Sequence, residues 1–140
     1  MNEQPDPQKQ LKIQKGILQA EDYLVTWIQD ALDNRRSYGK LEESQFRNLV
    51  RVADTTESAE VIKNFLHYQV GRDEKWGRGQ NSLAETIVSD INIRIKQKAK
   101  DIAKEAKSED VNSILLELTR RYLGYGARYL TYKLKGENPQ

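Results

Sequence analysis

The sequence predicts an all-α protein, a single-domain bundle of about five helices, and three observations carry that expectation. Apolar residues recur at helical spacing along most of the chain, and no stretch alternates in the way a half-buried strand does. With only 3 prolines and 8 glycines in 140 residues, long regular elements are favoured over loops. Hydrophobic residues make up 37% and charged residues 31%, which supplies one modest core and is too apolar for a disordered chain. The polar ends read as frayed, so the expected division is a disordered N-terminus over residues 1–7, a helical domain over 8–135 and a flexible end over 136–140.

A first helix is expected from about Gln8 to Ser37, with Ile17, Leu24, Ile28, Ala31 and Leu32 near one face and Trp27 on its flank. Gly16 weakens an early turn, so the helix could begin after it, and Gly39 is the expected stop. A short second helix, about Glu42 to Ala53, spaces Phe46, Leu49, Val50 and Ala53 along one face. Arg47 and Arg51 fall on the opposite side, with Glu43 one turn before Arg47. Asp54 with Glu57 three later, or Thr55, is expected to cap a third helix running to about Gly71. Val61, Ile62, Phe65, Leu66 and Val70 are its expected buried side.

Asn81 or Ser82 caps a fourth helix, whose stripe is Ala84, Val88, Ile91, Ile95, Ile102 and Ala106. Lys96, Lys100, Lys104 and Lys107 form a second stripe, which reads as a solvated face. Ser108 is the expected cap of the last helix. There Val111, Leu115, Leu118, Tyr122, Tyr125, Tyr129 and Tyr132 follow a regular helical spacing beside Leu116, Leu123, Leu130 and Leu134. A face that wide predicts a central helix packed on two sides. Gly124 and Gly126 would each cost about 1 kcal/mol relative to Ala in a helix interior. Close helix approach or a local break is the expected reason for them.

Composition removes several classes of chemistry. There is no cysteine and one histidine, His67, which excludes disulfides and any zinc site made of thiolates or paired imidazoles. No apolar run reaches the roughly 18–20 residues that span a bilayer. The polar start "MNEQPDPQKQ" is no secretory signal, so a cytoplasmic protein without membrane contact is expected. Gly77-Arg78-Gly79 has no strand before it, which removes the dinucleotide reading, and no serine sits in a GxSxG elbow. His67, followed by Asp73 and Glu74, is the only ordinary general-base candidate, and the favoured reading of it is a partly buried or surface helix residue. A non-catalytic protein with no metal or cofactor is the expectation.

Charge gives the positive signal. Residues 1–70 hold 9 Lys/Arg against 11 Asp/Glu, and residues 71–140 hold 14 against 10. Between the third and fourth helices, "RDEKWGRGQN" sets Arg72, Lys75 and Arg78 around Trp76. Cations neutralise phosphates and an indole face stacks on bases, so this loop is a candidate RNA contact, the alternative being a Trp that covers the core edge. Arg120, Arg121 and Arg128 lie among the tyrosines of the last helix, as rim arginines or as a subunit or RNA contact.

At "KLEESQFRNLVRVAD", Lys40 to Asp54, the sequence resembles the small helical subunit of type III CRISPR effector complexes. That family often carries a threonine pair, Ser-Gln, an apolar residue and Arg at the opening of a short helix. Ser44, Gln45, Phe46, Arg47 and Asn48 match, while Glu42 and Glu43 stand where the threonines would be, which alters the capping chemistry. The resemblance implies a non-catalytic subunit whose copies stack as an inner filament along the guide–target duplex, touching its RNA backbone and the other effector subunits. Only Arg47 of the candidate cations lies in the matched run. Arg51, Arg72, Lys75, Trp76 and Arg78 are candidates on physical grounds alone. The alternative function is a helical protein–protein adaptor or oligomerisation module without nucleic acid, resting on the Tyr/Leu surface of the last helix.

Overall fold

The computed structural model describes residues 6–137; of the expected frayed ends, 1–7 and 136–140, residues 1–5 and 138–140 lie outside the described residues. Among the described residues there are five helices and no strand. We label them α1 (Pro7–Asp33), α2 (Glu43–Thr55), α3 (Ala59–Arg72), α4 and α5. α4 runs as Leu83–Ser89, a π stretch Asp90–Ile95 and Lys96–Glu105; α5 runs as Val111–Thr131 and ends in a π stretch, Tyr132–Gly136.

α1 starts earlier than its periodicity suggests. The Asp6 carboxylate accepts from the Gln8 amide at 2.9 Å, and Pro7, which has no amide hydrogen to leave unpaired, takes the first helical position. Gly16 does not interrupt it. A Cβ there would stand 2.9 Å from Cγ2 of Ile102, so the glycine lets α4 approach α1 closely. The helix stops at Asp33 rather than Ser37, and a single 3-10 turn, Arg35–Ser37, follows.

The expected stripes of α1 and α4 are buried, and both join one continuous core. α2 opens on a reciprocal cap, with the Gln45 side chain accepting from the Glu42 amide at 2.8 Å and donating to the Glu42 carboxylate at 3.3 Å. Neither Asp54 nor Thr55 caps α3. The Thr55 hydroxyl instead bonds back to the carbonyls of Arg51 and Val52, which extends α2. Val61 is exposed, while Ile62 and Leu66 enter the core. Ser82 caps α4 by accepting from the Glu85 amide at 3.2 Å. The cap of α5 is Asp110, bonded to the Ser113 amide at 3.2 Å, and not Ser108.

α5 is the central helix, in contact with α1, α2 and α4. Tyr122, Leu116, Leu118, Leu123 and Leu130 are buried in it. Gly126 has a packing reason: a Cβ would lie 2.7 Å from Ile28 Cγ1 and from Phe46 Cζ. Gly124 has none among the described residues, since none of their atoms lies within 4 Å of its would-be Cβ. The tyrosine row and the arginines pin α5 to its neighbours. Tyr125 and Arg121 both bond Glu21 of α1, Tyr129 bonds Asp33 at 2.7 Å, and Arg120 bonds the carbonyls of Ala53 and Thr56 at 2.8 Å each, closing the α2–α3 corner.

Candidate nucleic-acid interface

The loop after α3 folds back onto the turn after α1, and two glycines allow it. The Gly39 amide donates to the Lys75 carbonyl at 3.1 Å, and a Cβ on Gly39 would meet the Glu74 carbonyl oxygen at 2.9 Å. Gly77, at φ +83, presses against the turn so closely that a Cβ would overlap the Ser37 carbonyl oxygen. Lys40 and Lys75 are thereby brought together from separate parts of the chain.

Two shallow grooves meet at Tyr38 and Gly39. The larger, about 830 Å³, is lined by Lys40, Arg47, Arg35, Lys133 and Lys135 with Glu42 and Glu43; the smaller, about 370 Å³, has Arg36 and Arg78 beside Glu74. Within them the ion pairing is uneven. Lys133 bonds Asp33 at 2.7 Å, Lys135 reaches Glu43 at 3.1 Å, Arg35 is 3.7 Å from Glu137 and Arg78 is 3.9 Å from Glu74. Thr131 and Lys135 hold the Glu43 carboxyl below its ordinary pKa, Thr131 by the stronger hydrogen bond. Lys40, Arg47 and Arg36 make no ion pair among the described residues, and Lys40, Arg47 and Arg36 are exposed. All three are solvent-exposed, with Arg47 close enough to Glu43 to help lower its pKa, and exposed charge of this kind attracts anions.

The sequence candidates separate on this geometry. Arg47 and Arg78 line the grooves, and Lys75 adjoins them through its backbone bond to Gly39. Arg51 lies one turn further along α2, exposed and bonded to Asn48 at 2.9 Å, outside the groove lining. Arg72 lies at the end of α3 with its guanidinium 5.7 Å from the ring centre of Tyr68. Trp76 is a correction. It is 1% exposed and packs on Phe46 with ring centres 5.5 Å apart, so no base can stack on it. Its apolar bulk anchors the loop to the core, and this burial is what sets the flanking cations at the rim. Arg36 and Lys40 were not among the sequence candidates, because only the folded-back loop places them on the lining of these grooves.

Comparison with family models, with curated proteins and with solved structures finds no match. The reading of this surface therefore rests on its own chemistry. His67 is exposed and pairs with Glu85 at 3.1 Å, and among the described residues it bonds neither Asp73 nor Glu74. No group of three or more metal-binding side chains occurs among the described residues, and no described helix is long and apolar enough to cross a membrane. The Tyr/Leu rows of α5 that would serve an adaptor are largely spent internally, leaving Tyr132 and Leu134 exposed.

Proposed function

We propose that this chain is a non-catalytic RNA-holding subunit of the kind found as the small helical component of type III CRISPR ribonucleoproteins, gripping an RNA backbone through the basic grooves at the Gly39–Lys75 junction. The observation that carries the reading is the set of exposed cations, Arg36, Lys40 and Arg47, that make no ion pair among the described residues, while Arg35, Arg78, Lys133 and Lys135 beside them do. Polyanion binding by released counterions needs such unneutralised charge and no reading of bases. The opening of α2 supports the family reading. Ser44 to Asn48 begin a short helix with Arg47 facing solvent, and Glu42 with Gln45 supplies the cap that the family's threonines would provide. Partners of this reading are guide–target RNA, the other effector subunits and further copies of the chain.

The test is binding of labelled A-form RNA duplexes of unrelated sequence across a salt series. Binding is expected to weaken steeply with salt and to be insensitive to sequence. Arg47→Glu should weaken it by roughly ten-fold for every sequence, and Lys40→Gln should flatten the salt slope by about one unit. Wild-type binding that neither variant alters would overturn the assignment of these grooves.

A further inference from the structure

The tryptophan expected to stack on bases is buried, but the other tryptophan sits in the arrangement that role requires. Tyr23 and Trp27 are one turn apart on α1, with ring centres at 5.8 Å. Across the α1–α4 seam the Lys98 ammonium lies 3.9 Å from the centre of the Tyr23 ring, and the Arg94 guanidinium lies 5.5 Å from that of Trp27. Tyr23 is 51% exposed, and Ile93, beside Trp27 and Arg94, is 66% exposed.

The seam continues into an open groove of about 540 Å³ that carries Lys12 and Lys15 as well as Lys98, against Asp101 and Glu105. Lys12, Lys15 and Lys98 make no ion pair among the described residues, Asp101 is engaged by Gln97 at 3.0 Å, and Arg94 stands only loosely, at 3.8 Å, from Asp90. The π stretch Asp90–Ile95 places both Ile93 and Arg94 here, and such stretches recur at functional positions.

We propose that the Tyr23–Trp27 ring pair, held between Lys98 and Arg94 on the α1–α4 seam, is a stacking surface for single-stranded nucleic acid. Unstacked bases present free faces, which a duplex does not, and every base can stack on an aromatic ring without sequence being read. An exposed cation–π contact is weaker than base–aromatic stacking. Lys98, on a flexible stem, can therefore leave the Tyr23 ring to a base and follow the adjoining phosphate. Arg94 stacked on Trp27 keeps its N–H edge available to the next phosphate. This surface is separate from the basic grooves and does not depend on them.

The experiment uses the full chain and two short probes, an oligoadenylate and an oligouridylate. Trp27 is only partly buried whereas Trp76 is fully buried, so quenching of the accessible emission reports on this seam. Both probes are expected to quench it and to protect it from acrylamide. Tyr23→Ala should weaken binding of both by roughly ten-fold, and Lys98→Gln should lower the salt slope by about one. Both variants should retain their helical circular dichroism and their duplex affinity. Absence of quenching, or equal affinity of Tyr23→Ala, overturns the proposal. If Tyr23→Ala alters sedimentation of the chain but not oligonucleotide binding, the seam is a protein contact and the proposal fails. Quenching by the oligonucleotides with no duplex binding would leave this inference standing and remove the reading of the basic grooves.

Discussion

Tyr122 of α5 donates a 2.6 Å hydrogen bond to the carboxylate of Asp90, and both residues are buried. Asp90 opens the π stretch of α4, so the one buried carboxylate among the described residues lies where the helix locally widens. Burial pushes its carboxyl above the ordinary value. The Tyr122 hydroxyl and Arg94 act against that shift, and Asp30 of α1 adds to it. Removing the hydroxyl with Tyr122→Phe leaves a buried charge without the donor that Tyr122 supplies. The expected cost is about 1.5–3 kcal/mol in urea unfolding at neutral pH. Asp90→Asn keeps an acceptor for Tyr122 without the charge and should cost less.

The same carboxyl gives the chain a pH signature. A folded-state pKa raised above the unfolded value, about 3.9 for Asp, means that proton uptake favours the folded state. That contribution is full below the unfolded value and is lost as pH rises through the raised one. Glu21 and Asp33 behave oppositely. Tyr125, with Arg121, lowers Glu21, and Lys133, with Tyr129, lowers Asp33. Their contribution is present above the unfolded values and is lost as pH falls through the lowered ones. Stability of Asp90→Asn relative to the parent should therefore rise with pH over a window above the unfolded value, read as the difference in melting temperature. A constant difference would show that Asp90 does not titrate in that window.

Gly124 and Gly126 are two residues apart on one helix and should respond to alanine with opposite signs. At Gly126 a methyl group would press on Ile28 and Phe46 in the core, so Gly126→Ala is expected to destabilise by about 1–3 kcal/mol. At Gly124 the methyl meets open space, and the helix gains backbone rigidity, so Gly124→Ala should stabilise by up to about 1 kcal/mol. Chemical denaturation of the two variants checks both signs.

Lys107 ends α4 at φ +57, a left-handed position suited to glycine. Its amide bonds the Lys104 carbonyl at 3.1 Å, and the Ser108 amide bonds that of Ala103 at 2.8 Å, which closes the helix end. Lys107→Gly should preserve both bonds and relieve the Cβ crowding, raising stability by up to about 1 kcal/mol. A fall in stability would mean that the lysine contributes more through charge than it loses in backbone conformation.

What the sequence disclosed was what repeats locally. The stripe of α4 and the width of α5 are statements about neighbours one turn apart, and Ser82 caps α4 because the bond it makes is only three residues long. The polar partners of the tyrosine row were not legible. Tyr122, Tyr125 and Tyr129 share a helical spacing, yet their phenols reach Asp90, Glu21 and Asp33, which the chain brings from two other helices. The basic grooves failed to show for the same reason. Arg36 looked like the tail of a helix and Lys40 like a turn residue until the Gly39–Lys75 bond set them beside the loop of Arg78. Capping rivals a few residues apart, such as Ser108 and Asp110, are decided by the entry angle of the chain, which local spacing does not encode.

Trp76 separates packing from binding most sharply. Its ring fills space against Phe46, its carbonyl accepts from the Ala84 amide at 3.1 Å, and its indole N–H has no partner within the protein among the described residues. Trp76→Ala should leave a cavity costing about 3–5 kcal/mol. Trp76→Phe removes the unpartnered donor together with part of the ring and should cost clearly less. If the loop cations act on the RNA backbone, the folded Trp76→Phe protein should hold duplex RNA as tightly as the parent, with its loss confined to unfolding. A matched loss of RNA affinity at a temperature where the variant remains folded would mean that the indole, through the loop it anchors, sets the positions of Lys75 and Arg78 more finely than bulk alone explains.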